Sequence, residues 1–165
     1  MKTIYIVRHA KAGSSHSGDF DRMLNETGRK AAHVMGELLD EKGVVPDYVL
    51  ASPANRALTT AEIFCEILGY PVERIEQRME IYEGGAQRLL SILQQVGDSY
   101  NTVLMFGHNP TMTLLVDLLA GCAHEGMATC GVVRLECESD SWGNLRAGSC
   151  KLVWYDYPKR HQERG

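Results

Sequence analysis

The chain has little of several things that would decide its class. No apolar run approaches the roughly 20 residues that cross a bilayer. The N-terminal run Thr3-Ile4-Tyr5-Ile6-Val7 meets Arg8-His9 after about five residues, too short for an export signal. Positive charge is scarce: 17 Lys and Arg stand against 21 Asp and Glu, a formal net charge of −4. That balance speaks against nucleic acid or an anionic membrane as partner. The basic tail Lys159-Arg160-His161 is too short to alter it and reads as a solvated terminus. Cysteine occurs five times, at 65, 122, 130, 137 and 150, without a CxxC pair or a zinc-like spacing. An odd count with no export signal predicts reduced thiols in the cytoplasm. Cys65 falls on an apolar helical face and reads as packing. A glycine-rich phosphate loop ending in lysine is absent, and Gly13 and Gly18 read as plain loop flexibility. Internal repeats, low-complexity tracts and long linkers are lacking too.

What is present is ordinary in bulk and specific in detail. With 165 residues, 44% of them hydrophobic, the chain suffices for one domain, 1–165, with a real core. Strand-like and helix-like segments alternate, which predicts an α/β fold with helices on both faces of a mainly parallel sheet. Thr27 is the expected cap of a first helix whose inward face is Ala31, Val34, Met35, Leu38 and Leu39, ending near Gly43. Ser52 as cap and Pro53 at the first helical position open a second, with Ala57, Leu58, Ala61, Cys65 and Leu68 inward. A short strand is expected around 72–75, a third helix over 86–96, and a fourth from Asn109-Pro110 to Gly121. Residues 132–137 and 151–155 read as an edge hairpin around a turn-rich 138–149 segment.

Three short motifs sit where a strand hands over to a helix or loop: Arg8-His9-Ala10, Ser52-Pro53-Ala54-Asn55-Arg56 and Gly107-His108-Asn109-Pro110. Ligands of open α/β sheets bind outside the carboxyl ends of the strands. If the three strands neighbour one another, two arginines and two histidines meet there. Guanidinium groups are planar, always charged and able to grip two phosphoryl oxygens, so Arg8 and Arg56 form the expected clamp. Helix N-termini at Ser52-Pro53 and Asn109-Pro110 add donors for an anion, which places Asn109 among the phosphate-binding residues. His9 is the candidate nucleophile, kept neutral by the arginines beside it, and His108 would stabilise the transition state. Those arginines repel a cation, so a metal at His9 and His108 is not expected. Ser52 lacks the Gly-x-Ser-x-Gly elbow of a serine hydrolase. His16, His33 and His124 have no comparable support, and His33 reads as structural.

Over nearly its whole length the chain resembles the histidine phosphatase superfamily, the group that includes cofactor-dependent phosphoglycerate mutase, and within it the small SixA branch of phosphohistidine phosphatases. The resemblance is carried by four motifs in order: Ile4-Tyr5-Ile6-Val7-Arg8-His9-Ala10-Lys11, Asp21-Arg22-x-Leu24-x-x-Thr27-Gly28, Ser52-Pro53-x-x-Arg56-Ala57-x-x-Thr60-Ala61 and Gly107-His108-Asn109-Pro110. Ser141-Trp142 and the 148–152 stretch fit the same branch, as does Ala10 where the wider superfamily has glycine. The resemblance implies a three-layer αβα sandwich of the phosphoglycerate mutase type. It implies His9 as the phosphorylated residue, with Arg8, Arg56 and His108 completing the pocket, and neither metal nor organic cofactor. Arg22 is expected at the pocket mouth or in a salt bridge with a helix carboxylate. Larger relatives use a glutamate as general acid; Glu83, through Ile81-x-Glu83, is the nearer match and Glu80 the alternative. Both are otherwise read as exposed loop carboxylates, and Tyr82 as lining the pocket or packing. The expected substrate is phosphohistidine on a protein, such as a phosphotransfer domain or a sugar-phosphotransferase component. A small phosphoester is the alternative, and a non-catalytic phosphoprotein-binding module a more distant one.

Overall fold

The computed structural model describes residues 1–162. Its strands are β1 (Lys2–Arg8), β2 (Tyr48–Ala51), β3 (Glu76–Gln77), β4 (Thr102–Gly107), β5 (Val132–Cys137) and β6 (Cys150–Asp156). Its helices are α1 (Glu26–Glu41), α2 (Asn55–Leu68), α3 (Met79–Glu83), α4 (Ala86–Gln94), α5 (Thr111–Ala120) and α6 (Lys159–Gln162). The strands form one sheet in the order β3-β2-β4-β1-β5-β6. The pairs β3-β2, β2-β4 and β4-β1 are parallel, while β1-β5 and β5-β6 are antiparallel. The expected α/β sandwich, mainly parallel with an antiparallel edge, is what the chain forms.

The unbroken apolar run of β1 follows from burial on both faces. With a side-chain period of two, Ile4 and Ile6 join Leu50, Met105, Leu89, Leu93 and Leu115 on one side. Tyr5 and Val7 join Val49, Phe106, Met35 and Phe64 on the other. Phe64 of α2 meets Phe106 of β4 edge to face at 5.1 Å, tying the helix that carries Arg56 to the strand that leads into His108. Truncating such a ring to alanine costs about 3–5 kcal/mol.

Several local expectations are corrected. Asn25, not Thr27, caps α1, its side chain accepting from Gly28 N–H at 2.8 Å. Gly28 is needed there because a Cβ would run into the Lys11 carbonyl. Val34 faces solvent, and Leu38, Leu58 and Leu68 are only half-buried. Ser52 and Pro53 stay in the turn before α2, whose cap position is Ala54. Residues Val72–Arg74 form a 3₁₀ turn, and the strand shifts to Glu76–Gln77; Val72 and Ile75 stand three apart, the 3₁₀ period. The helix Met79–Glu83 was not anticipated. Cys137 and Cys150 are not reduced thiols but a disulfide, because the β5-β6 register sets them opposite each other with Cα atoms 4.3 Å apart. Cys65, Cys122 and Cys130 are free. The basic tail is not simply solvated: it forms α6, with His161 Nε2 2.8 Å from the Asp156 carboxylate. Gly18 does more than loosen its loop, since its φ of +102° is a conformation side chains disfavour.

Candidate active site

Strand order brings the three motifs together. β2, β4 and β1 are neighbours, and Arg8 lies in register with Gly107. His9 N–H donates to the Gly107 carbonyl at 2.9 Å and Ser52 N–H to the Phe106 carbonyl at 3.0 Å. The backbone ladder thus carries on for one residue beyond each strand and fixes where the side chains emerge.

His9 is 8% exposed. Its Nδ1 lies 2.7 Å from the Ala10 carbonyl; since a carbonyl only accepts, the proton sits on Nδ1 and the lone pair on Nε2. Burial pushes its pKa down to about 4, with Arg56, Arg8 and Arg22 adding to the effect against the Ala10 bond. At neutral pH the ring is uncharged, for the expected reason and chiefly for a second one, desolvation. Thr60 holds the neighbourhood in place: its hydroxyl accepts from Ala10 N–H at 3.0 Å and donates to the Arg56 carbonyl at 2.7 Å.

His108 faces His9 with ring centroids 5.3 Å apart. Burial, then Arg56 and His9, lower its pKa to about 3. Its Nε2 is 2.8 Å from Ser52 Oγ, and that oxygen accepts from Ala54 N–H at 3.2 Å. Ser52 is therefore a partner of His108 rather than the α2 cap.

Arg56, in the first turn of α2, is 6% exposed. Its Nη1 donates to the Asp19 carbonyl at 2.7 Å and its Nη2 to Asp19 Oδ2 at 2.9 Å. Arg8 Nη1 donates to the Met127 carbonyl at 2.9 Å. Among the described residues, three buried side-chain polar atoms have no hydrogen-bond partner: Arg8 Nε, Arg56 Nε and His108 Nδ1. Buried donors left unpaired cost about 1–3 kcal/mol each, so native chains keep few of them. That all three belong to one cluster marks a place shaped for an external acceptor.

The remaining expected residues divide. Arg22 is in a salt bridge, its Nη1 3.1 Å from Asp19 Oδ1, and its Nε donates to the Gly13 carbonyl at 2.9 Å. Asn109, expected on the phosphate, spends its side chain on structure: Nδ2 donates to the Met127 carbonyl at 3.0 Å, and Oδ1 accepts from Thr113 N–H and Oγ1. Glu80 is engaged by Arg78, whose Nε lies at 3.1 Å, and that partner holds its carboxyl below the usual range. Glu83 is exposed at the end of α3. Tyr82 lines the mouth, with its ring edge-on to His108 at 5.4 Å and its hydroxyl donating to Asp19 Oδ2 at 2.8 Å.

Asp19 is the residue sequence reasoning missed. Bonds from Tyr82, Arg22 and Arg56 hold its carboxyl down to about 2. The only local signal was its i,i+3 spacing to Arg22; its other partners lie 37 and 63 positions away.

Chemically, a neutral imidazole with a free Nε2 lone pair beside unsatisfied guanidinium N–H groups suits nucleophilic attack on a tetrahedral oxyanion. No helix among the described residues is long and apolar enough to cross a membrane. Comparison with known proteins agrees with the chemistry. The structure of the protein histidine phosphatase SixA complexed with tungstate superposes with a TM-score of 0.84 at 24% identity, covering 96% of this chain and 98% of that one. A Nakamurella multipartitia protein proposed to be a phosphohistidine phosphatase SixA matches with a TM-score of 0.82 at 26% identity, over 95% and 96% of the two chains. An uncharacterised Mycobacterium tuberculosis protein is 27% identical over 93% of this chain and its own full length. Residues 4–87, which carry Arg8, His9 and Arg56, match the family model described as histidine phosphatase superfamily, branch 1. The chain belongs to the histidine phosphatase superfamily.

Proposed function

We propose that the chain is a single-domain phosphatase that removes phosphoryl groups from phosphohistidine on a protein, through a phosphohistidine intermediate on His9. The observation that carries this reading is the neutral His9, its Nε2 lone pair set by the Nδ1–Ala10 bond, beside the three unpartnered polar atoms of Arg8, Arg56 and His108.

In this reading Arg8 and Arg56 present Nε–H groups to the phosphoryl oxygens and spread their charge as it builds. The Ser52 hydroxyl donates to His108 Nε2, which leaves the His108 proton on Nδ1 as a third donor. His9 Nε2 forms a bond to phosphorus as the bond to the substrate nitrogen breaks, and the departing imidazole keeps the proton it carried. Water then attacks phospho-His9, releasing inorganic phosphate and restoring the neutral ring. The pairing of Glu80 with Arg78, which keeps its carboxyl ionised, favours Glu83 over it as general acid. Glu83 is the donor an alkoxide leaving group would need, while a protonated imidazole departs without one.

The connections over the strand ends support a protein-borne substrate. The 3₁₀ turn Asp19–Asp21 and the five-residue α3 are short, leaving little to enclose a small molecule. In a cytoplasmic setting, also part of this reading, the Cys137–Cys150 bridge would face a reducing thiol pool. The test is phosphate release from a histidine-phosphorylated phosphotransfer domain by the wild type and His9→Ala, beside p-nitrophenyl phosphate. The reading expects fast release from the phosphoprotein and none from the variant. Turnover of the ester alone would shift the assignment to a small-molecule phosphomonoesterase, for whose alkyl substrates Glu83 would be the proton donor.

A further inference from the structure

We infer that Asp19 is a positioning residue for Arg56, gripping one edge of its guanidinium so that the opposite edge is offered to the phosphoryl group; this rests on Arg56 being a phosphoryl ligand. A guanidinium has five N–H donors in a fixed plane. Asp19 takes the terminal edge twice over, with its carbonyl on Nη1 at 2.7 Å and its carboxylate on Nη2 at 2.9 Å. What remains is the lateral fork, Nε–H with the second Nη2 proton, and Nε is one of the three unpartnered buried atoms. That fork is the bidentate shape that matches two oxygens of a phosphoryl group.

Asp19 is itself held by two further side chains. Arg22 Nη1 reaches Oδ1 at 3.1 Å and Tyr82 Oη reaches Oδ2 at 2.8 Å. The Phe20 ring packs edge-on against Tyr82 at 5.2 Å, and the Tyr82 ring packs edge-on against His108 at 5.4 Å. Gly18, at φ +102°, turns the chain into this 3₁₀ segment. The segment around Asp19 and the helix α3 therefore meet beside Arg56, with Asp19 as the joint.

A rival consequence of the same contact has the opposite sign. If the carboxylate were an internal plug competing with the phosphoryl group, its removal would tighten oxyanion binding. The geometry favours positioning, because Asp19 occupies an edge the phosphoryl group does not need. The Asp19 side chain is 52% exposed, so its repulsion of an anion is screened and worth a few-fold at most. The orienting bond acts on a guanidinium only 7% exposed, so its loss, discounted for the exposed carboxylate, is worth about tenfold.

The experiment is calorimetric titration of the folded protein with tungstate, a tetrahedral oxyanion, alongside steady-state phosphatase kinetics. Asp19→Ala is expected to weaken tungstate about tenfold and to raise KM more than it lowers kcat. Asp19→Asn, which keeps an acceptor oxygen, should recover most of the affinity. In an Arg56→Ala background, Asp19→Ala should change tungstate affinity less than about twofold, since a positioning residue has nothing left to position. Should Asp19→Ala fail to fold, Asp19→Ser, too short to reach Nη2, carries the same prediction. Unchanged or tighter tungstate binding in a folded Asp19 variant overturns the inference. A wild type that binds no tungstate and releases no phosphate overturns instead the reading of the site on which the inference rests.

Discussion

Protonation of His9 can be followed directly. The ring's pKa is pushed down to about 4, against an ordinary histidine value of about 6.5. At pH 5.5 the buried ring is then about 97% neutral, whereas an ordinary histidine would be about 9% neutral. The measurement is an NMR titration of the His9 ring resonances, assigned by their loss in His9→Gln. The expected curve is flat from pH 8 to about 5, with a midpoint near 4 and with Nδ1 protonated throughout, as the bond to the Ala10 carbonyl requires. The same shift acts on stability. Because the folded pKa lies below the unfolded one, the unfolded chain binds more protons between about pH 4 and 6.5, so stability rises with pH across that window. Relative to pH 8, His9 costs about 2 kcal/mol of folding free energy at pH 5. His108, lowered to about 3 for similar reasons, acts in the same direction, so the His9 share is the difference between wild type and His9→Gln in urea unfolding at the two pH values. A midpoint near 6.5, or a proton on Nε2 at pH 7, would refute the argument that burial keeps this nucleophile neutral and aims its lone pair into the pocket.

Ser52→Ala removes the 2.8 Å partner of His108 Nε2 and frees the tautomer; kcat should fall about tenfold with a smaller change in KM, read by steady-state kinetics. Glu83→Gln should slow turnover of an alkyl phosphate such as glycerol 2-phosphate at least tenfold while leaving phosphohistidine hydrolysis within about twofold, because only the alkoxide leaving group needs a proton; equal losses on both substrates would contradict this. Replacing Cys137 and Cys150 by serine opens a link across 13 residues, worth about 3 kcal/mol, and should lower Tm by roughly 6–12 °C in a scanning melt. Activity at 25 °C should be unchanged, since Cys137 pairs with Lys2 at the end of β1 opposite Arg8.

What was legible in the sequence and what was not divide along a physical line. Arg8 ends β1, and His9 and His108 stand directly after β1 and β4, strands whose apolar runs are recognisable; strand ends are where an α/β sheet presents ligands. Arg56 stands four residues beyond Ser52, itself directly after β2. The antiparallel edge was legible because turn-rich chain separated two apolar stretches. Contacts between distant segments were not. Asp19 meets Tyr82 across 63 positions and Ser52 meets His108 across 56, and no local pattern records either. Ser52-Pro53 matched a helix start so well that its role beside His108 was hidden. Cys137 and Cys150 read as thiols because their spacing signals nothing until the hairpin register sets them opposite each other. Asn109 shows a further limit: its place at a helix start was legible, but the bonds of its side chain to Met127 and Thr113 were not.

The central claim is that His9 carries the phosphoryl group during turnover, and rapid-quench trapping with a ³²P-labelled phosphohistidine protein tests it most directly. Quenched in alkali, which preserves phosphohistidine, the wild type should show acid-labile label on the peptide containing His9, appearing and decaying at the rate of phosphate release, and His9→Ala should show neither label nor release. Full turnover by His9→Ala, or label on a different residue, would contradict the account.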